Sequence, residues 1–375
     1  MEVDKENIFV NLHEVLKEKR GRVDNEIDYD RVANSSVNVG YLNGEKIKRV
    51  IFYLRSKGCQ WSCTKGGGCF MCGHYFGTSK GKELPKYSFL HQFKNEYKKH
   101  DFTDIPVICI YNAGSILNDE EIPNKELFEI LKIISKNKNI KRVVLESRPE
   151  FIDYDVISEI SKICENKVVE IGIGLETSND FIRNKCVNKG FTFEKYIKAV
   201  CRIKRFNNIK VLTYLTVKPL FLTINESIED VINSVMDICE YTDIISLEPV
   251  SIQKNTLVEY LYQRNLYSIP KGWMIRDIVI ALNKKDVLNK FELRIGGFEF
   301  YPIPELVINN CNNCNKSLYK AIDYYNSTKK IDKIIELSCD CYKEYEAEKA
   351  RMDNEKPLED RITDIMNNVL SEVIY

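Results

Sequence analysis

The chain has no excess of charge of either sign: 55 Lys and Arg balance 55 Asp and Glu over 375 residues. A strongly basic nucleic-acid carrier is thereby excluded, because a polyanionic partner must be held by a local patch rather than by the field of the whole molecule. Short basic stretches around Lys94–Lys99 and Lys136–Arg142 are the candidates, although such runs ordinarily face solvent. No run of about 18 apolar residues is present, which argues against a membrane-spanning helix. The stretch Met1 to Lys19 is charged throughout and lacks the apolar core of a secretory signal, so the expected compartment is the cytoplasm, with no membrane partner. There is also no internal repeat, no low-complexity tract and no separate RNA-binding domain. In a reducing compartment 13 cysteines, an odd number, do not read as a disulfide framework. They read as metal ligands and buried thiols. Cys109, Cys164, Cys186, Cys201 and Cys239, each alone in an apolar or helical context, are expected in the second group.

What the chain does contain is alternation. Residues 1–46 read as a polar N-terminal arm or cap, with a helical stretch near Val10–Lys19 and a turn-rich connection through Asn34-Ser35-Ser36. From residue 47 to 300, β-branched runs expected as strands alternate with amphipathic stretches expected as helices. The strands are Arg49–Leu54, Val107–Tyr111, Arg142–Glu146, Val168–Leu175, Lys210–Val217 and Ile244–Glu248, with Glu292–Ile295 a possible seventh. Among the helices are Lys125–Ser135, Asp155–Glu165, Phe193–Phe206 and Ile228–Tyr241. Strands each followed by a helix give a parallel sheet, so the expected class is α/β, curled into a partial (β/α)6 barrel of the TIM type. Residues 301–375 lose the alternation and read as a small cysteine-bearing helical module, ending in helices at Tyr342–Arg351 and Leu358–Val373.

The clusters that carry chemistry fall where the strands end. After the first strand, Cys59, Cys63, Cys69 and Cys72 lie within fourteen residues around three consecutive glycines. Soft thiolates so placed suit zinc or an iron–sulfur cluster. Cys59, Cys69 and Cys72 form a C-x9-C-x2-C set that leaves Cys63 spare and one iron of a four-iron cluster open, whereas closure by Cys63 or His74 would make a structural zinc site. Glu248 ends an apolar strand and needs a polar partner, and Lys218 and Lys254 sit where a substrate would lie. A second group, Cys311-x2-Cys314 with Cys339-x-Cys341, suits a structural zinc, with an auxiliary cluster as the alternative.

Six segments in order carry a resemblance: Gly58-Cys59 through Gly73-His74-Tyr75, Tyr111-Asn112-Ala113-Gly114-Ser115, Glu146-Ser147-Arg148-Pro149-Glu150, Gly174-Leu175-Glu176-Thr177, Lys218-Pro219-Leu220-Phe221-Leu222, and Glu248-Pro249 through Glu259. Over roughly residues 47–320 the chain resembles the radical S-adenosylmethionine (SAM) superfamily, in the branch that includes the Elongator catalytic subunit. It is most similar there to the archaeosine synthase radical-SAM subunit family. The resemblance implies a radical-SAM barrel with a [4Fe–4S] cluster on Cys59, Cys69 and Cys72 and SAM on the open iron. It further implies a 5′-deoxyadenosyl radical that abstracts a substrate hydrogen atom.

By position, Met71 is expected to flank adenine and Tyr75 to belong to the same SAM-binding loop. Asn112, Gly114 and Ser115 are expected to border the SAM amino group, Arg148 to pair its carboxylate, and Glu176 to accept from the ribose hydroxyls. Glu248 and Lys218 are the residues expected on the substrate side. In this family the abstraction leads to C–N cleavage of a lysine-modified 7-deazaguanine in tRNA, giving archaeosine. The implied partners are tRNA, the lysine-transferring archaeosine synthase subunit, and an electron donor such as ferredoxin or flavodoxin. The alternatives are the same radical acting on a small molecule or another modified nucleoside and, without catalysis, a zinc-stabilised binding scaffold.

Overall fold

The computed structural model describes residues 28–64, 67–297, 301–352 and 356–374, and the helix expected near Val10–Lys19 lies outside them. Eight strands form one sheet in sequence order: β1 (Asn34–Leu42), β2 (Glu45–Tyr53), β3 (Val107–Tyr111), β4 (Arg142–Glu146), β5 (Val168–Glu176), β6 (Ile209–Val217), β7 (Ile244–Pro249) and β8 (Glu292–Ile295). The pairs from β2 to β8 are all parallel, and β1 runs antiparallel to β2. The seven parallel strands are those expected from the alternation, one more than six repeats. The turn expected at Asn34–Ser36 is instead the start of β1. Its hairpin closes on Asn43-Gly44, with φ of 52° and 82°, a two-residue turn whose hand matches the twist of the flanking strands.

The helices are α1 (Gln60–Cys63), α2 (Ser88–Tyr97), α3 (Asn124–Lys136), α4 (Tyr154–Ile163), α5 (Asp180–Lys185), α6 (Phe193–Ile203), α7 (Ile224–Ile238), α8 (Leu257–Gln263), α9 (Gly272–Lys284), α10 (Asn315–Thr328), α11 (Asp332–Ile335), α12 (Cys341–Met352) and α13 (Leu358–Ile374). Parallel strands paired in sequence order require every crossover to run the same way, so the crossover helices cover one face of the sheet. Residues of alternate parity divide accordingly. Val50, Phe52, Ile108, Ile110, Val143 and Leu145 belong to the large core under the helices, whereas Ile51, Val107, Cys109, Val144 and Leu212 form a separate small cluster on the opposite face. The opposite face also carries charge: Glu170 of β5 pairs with Arg142 of β4 at 3.0 Å and Arg294 of β8 at 2.8 Å. Side chains from all eight strands line a single cavity of about 650 Å³, so the sheet is curled into an open half-barrel.

The last helices are anchored by polar contacts as well as apolar ones. On α10, Asn326 Oδ1 accepts from Ile295 N at 2.9 Å and Asn326 Nδ2 donates to Ile295 O at 2.8 Å. Its Asp323 accepts from Tyr41 Oη of β1 at 2.5 Å. Thus α10 spans the gap between the two edge strands. Tyr345 of α12 donates to Asp277 of α9 at 2.8 Å, and α13 buries Ile362, Met366 and Val369 against Leu220 and Leu222. Of the isolated cysteines, Cys109, Cys164, Cys186 and Cys239 are buried as expected, but Cys201 is exposed on α6. Among the described residues, no helix is long and apolar enough to cross a membrane.

Candidate active site at the strand ends

The cavity opens where the parallel strands end, and its wall begins with the cysteine loop. Cys59, Cys69 and Cys72 all line it, whereas Cys63 is exposed and lies outside the lining. The three lining sulfurs do not all fall within 4.8 Å of one another. One ion would need them closer, but a cluster takes each thiolate on a different iron and needs a wider set. Burial, with Glu121 adding to it, pushes the Cys59 thiol up to about 12. Without a cation that sulfur stays protonated; a metal beside it reverses the balance. The donor set therefore fits an iron–sulfur cluster better than a single ion.

The loop is held by two neighbours. Glu121, 2% exposed, accepts from Gln60 N at 2.9 Å and Ser115 N at 2.7 Å, and also from the amides of Asn112 and Asn118. One carboxylate thus joins the cysteine loop to the loop after β3. Gly114 is required at that junction, since a Cβ there would stand 2.0 Å from Glu121 Oε2 and 3.0 Å from Cys59 Cα. On the other side, the turn before α6 packs onto the cysteine loop: Trp61 Nε1 donates to Asn188 O at 2.8 Å, and Phe70 N to Val187 O at 3.0 Å. Gly190, at φ +75°, leaves room for the Trp61 ring.

The structure sorts the residues expected from sequence. Met71, Gly114, Arg148, Glu176 and Glu248 line the cavity with the three cysteines. Arg148 donates from Nε to Glu150 at 2.7 Å and from Nη2 to Lys189 O at 2.8 Å, with its guanidinium 5.4 Å from the Trp61 ring centre. Glu176, at φ 69°, accepts from Lys189 Nζ at 2.6 Å and from Thr216 Oγ1.

Four expected residues lie elsewhere. Asn112 and Ser115 are buried beneath the β3 loop and hold its shape; Ser115 Oγ accepts from Arg148 N at 3.1 Å. Tyr75 packs its ring on Gly58 instead of joining the lining. Lys218 turns away from the cavity, donating to Ser268 O and to Ser268 Oγ at 2.7 Å and lying 4.6 Å from the Tyr267 ring centre. Its backbone is left-handed there, with φ of 64°.

Four lining groups were not singled out as site residues from the sequence. Glu146 accepts from Tyr214 Oη at 2.7 Å, and Glu248 accepts from Ser246 Oγ at 2.6 Å. Burial pushes both carboxyls up to about 7, and each of them raises another carboxyl of the cavity or is raised by it. For Lys189, burial works against the ammonium, but Glu176 and then Cys69 outweigh it, so its net shift is upward. Gln253 accepts from Gly73 N at 2.5 Å and steadies the last cysteine turn. His74, which the sequence offers as a zinc-closing residue, a hydrogen-bond donor beside the cluster or an exposed loop residue, lines the cavity and donates from Nδ1 to Tyr301 O at 2.6 Å; burial lowers its basicity.

The chain is 33% identical over 248 residues to archaeosine synthase subunit beta of Methanosarcina acetivorans, an alignment covering 66% of this chain and 70% of that one. The chain belongs to the radical-SAM family of archaeosine synthase subunit beta. It is also 33% identical over 302 residues to an uncharacterised protein of Methanocaldococcus jannaschii, covering 78% of this chain and 80% of that one. Among solved structures, Methanocaldococcus infernus Elp3 with an N-terminal deletion aligns with 62% of this chain and 57% of that one, at 16% identity and a TM-score of 0.42. No protein-family model matches the chain.

Proposed function

We propose that this chain is a radical-SAM enzyme that takes a hydrogen atom from a lysine-modified 7-deazaguanine in tRNA, leading to C–N cleavage and archaeosine. The observation that carries the reading is the separation of the four loop cysteines: three line the cavity and the fourth faces solvent. Cys59, Cys69 and Cys72 hold the cluster in this reading. When bound, the cluster and SAM together supply one electron and the 5′-deoxyadenosyl radical that removes the hydrogen atom.

The chain's own residues bind, orient and enclose. Arg148 offers a planar guanidinium to the SAM carboxylate, and its contacts to Glu150 and the Lys189 carbonyl fix its plane. The Ala113-Gly114 backbone borders the amino group, with Glu121 holding that loop against Cys59. Met71 flanks adenine. Glu176 accepts from the ribose, since a carboxylate with two donors already in place retains acceptor capacity. On the substrate side Glu248 is joined by Glu146, not by Lys218. Two buried carboxyls near neutrality suit the ammonium of a lysine adduct, because a cation favours their ionised form. A base reaches such a cavity only by leaving its stack in the tRNA. The lysine-transferring subunit would supply the adduct, and ferredoxin or flavodoxin the electron.

The test is anaerobic incubation of the reconstituted protein with SAM, reductant and tRNA bearing the lysine adduct. Nucleoside mass should show archaeosine and 5′-deoxyadenosine forming together. SAM cleavage without a tRNA product moves the reading to a small-molecule substrate, and absence of both overturns it.

A further inference from the structure

Far along the chain from the cysteine loop, two short segments bring four thiols together. Cys311 and Cys314 lead into α10, and Cys339 and Cys341 lead into α12. The sulfurs of Cys311 and Cys314, of Cys311 and Cys339, and of Cys314 and Cys341 each stand 3.6 Å apart. All four lie within 4.8 Å of one another. These separations are well beyond a sulfur–sulfur bond of about 2.05 Å, so the residues are free thiols.

Four sulfurs placed tetrahedrally about 2.3 Å from one ion have edges of about 3.8 Å, close to the spacing observed. A four-iron cluster spreads its thiolates over four separate irons and needs a wider frame. A second feature points into the same place. Trp273 of α9 is 1% exposed, and its buried indole Nε1 has no hydrogen-bond partner. It interacts with the sulfur of Cys341, and the Trp273 ring meets Tyr342 edge-on at 5.1 Å. A buried N–H left unpartnered beside a cysteine sulfur suits a metal-bound thiolate, whose negative charge makes it a far better acceptor than a neutral thiol.

We infer that Cys311, Cys314, Cys339 and Cys341 form a closed zinc site, with the Trp273 indole N–H supporting the Cys341 thiolate. With all four positions filled by protein there is no open site, so the ion is structural. It pins the start of α10 to the start of α12. Because α10 carries Asp323 and Asn326, which bind the edge strands β1 and β8, the ion also fixes the helix that spans the half-barrel.

Full-length protein is expressed with iron and zinc both present, purified anaerobically and assayed for both metals. The expected result is about one zinc per chain, kept by the triple variant Cys59→Ala/Cys69→Ala/Cys72→Ala and lost from Cys311→Ser/Cys339→Ser. X-ray absorption at the zinc edge of the unaltered protein, which needs no variant to fold, should show four sulfurs at about 2.3 Å. Trp273→Phe should release zinc to a chelator about tenfold faster while retaining the ring packing. Iron retained by the triple variant, an absence of metal at these thiols, or oxygen and nitrogen among the zinc neighbours each overturns the assignment. None of these readouts involves turnover, so the zinc site can fail while the catalytic reading stands, and the reverse.

Discussion

The two cysteine groups of this chain are similar in sequence and opposite in construction. Near the N-terminus, three thiols stand apart on the wall of a cavity, held by Glu121 on one side and by the turn of Val187 and Asn188 on the other. Near the C-terminus, four thiols converge on one point between two helix starts. The first arrangement is held open by residues that are not ligands, and the second is closed by the ligands themselves. Spacing alone does not separate the two, because either loop can supply four soft sulfurs. What separates them is whether the surrounding fold keeps the sulfurs apart.

The largest expected effect divides the groups directly. Cys59→Ala, Cys69→Ala and Cys72→Ala should each abolish the visible absorbance of the reconstituted cluster and the yield of 5′-deoxyadenosine, while Cys63→Ala keeps both. Loss with Cys63→Ala and retention with Cys59→Ala would show that the exposed thiol is the ligand and would break the contrast drawn from cavity lining. A smaller effect probes what holds the open site apart. Glu121→Ala leaves Gln60 N and Ser115 N without their buried acceptor and should cost about 2–4 kcal/mol in denaturant unfolding. Iron retention should fall with it, while zinc content stays unchanged. Equal loss of both metals would mean that Glu121 supports the whole fold rather than the cysteine loop.

The order of the strands was legible in the sequence, whereas the contrast between the two thiol groups was not, and the limit has a physical basis. The strands β3, β4 and β8 begin and end where the hydrophobic pattern places them, because a parallel strand buried on one face by helices keeps a strong local signal. The edge strand β1 does not: Asn34, Ser35 and Ser36 read as turn residues, and Val37 and Val39 are 45% and 42% exposed. The Asn43-Gly44 pair was its one clear local mark. Met71, Arg148, Glu176 and Glu248, each expected in a loop after a strand or at its end, line the cavity. Glu121 and Lys189 lie in connecting segments beyond any strand end, so no local pattern marks them; Glu121 gains its role by reaching Gln60 N, 61 positions away, and Lys189 by folding back onto Glu176. Asn112, Ser115 and Lys218 sit at the expected strand ends and Tyr75 in the cysteine loop, but chain position does not say which way a side chain turns, and Lys218 is drawn to Ser268 instead of the cavity.

A third effect follows from charge, which separates the cavity from the closed thiol knot. Glu146 and Glu248 titrate near 7 in the fold, against 4.5 for an ordinary glutamate. Below the lower value both states hold the proton and nothing is lost. Between the two values only the folded state holds it, so stability falls as pH rises through that window. Glu146→Gln or Glu248→Gln should flatten this slope and, at pH 8, stabilise the protein by about 1–3 kcal/mol, while weakening the binding of a cationic substrate. Calorimetry against pH checks the first part, and a KM that rises more than kcat falls checks the second. An unchanged slope in both variants would mean the carboxyls are already ionised inside the cavity.

Lys218 supplies the smallest effect and the sharpest control, since it is a buried cation at a strand end that belongs to neither thiol group. Burial lowers its ammonium to about 8, against 10.5 when exposed. Below about pH 8 both states are charged, and above it the folded state loses its proton first, so this residue makes stability rise with pH between those values. Lys218→Met should remove that rise, leave both metals in place, and change SAM cleavage by no more than about twofold. A large loss of turnover with intact stability would bring Lys218 back to the substrate. The site would then have to include the Ser268 side of the β6 end, outside the cavity that the three cysteines line.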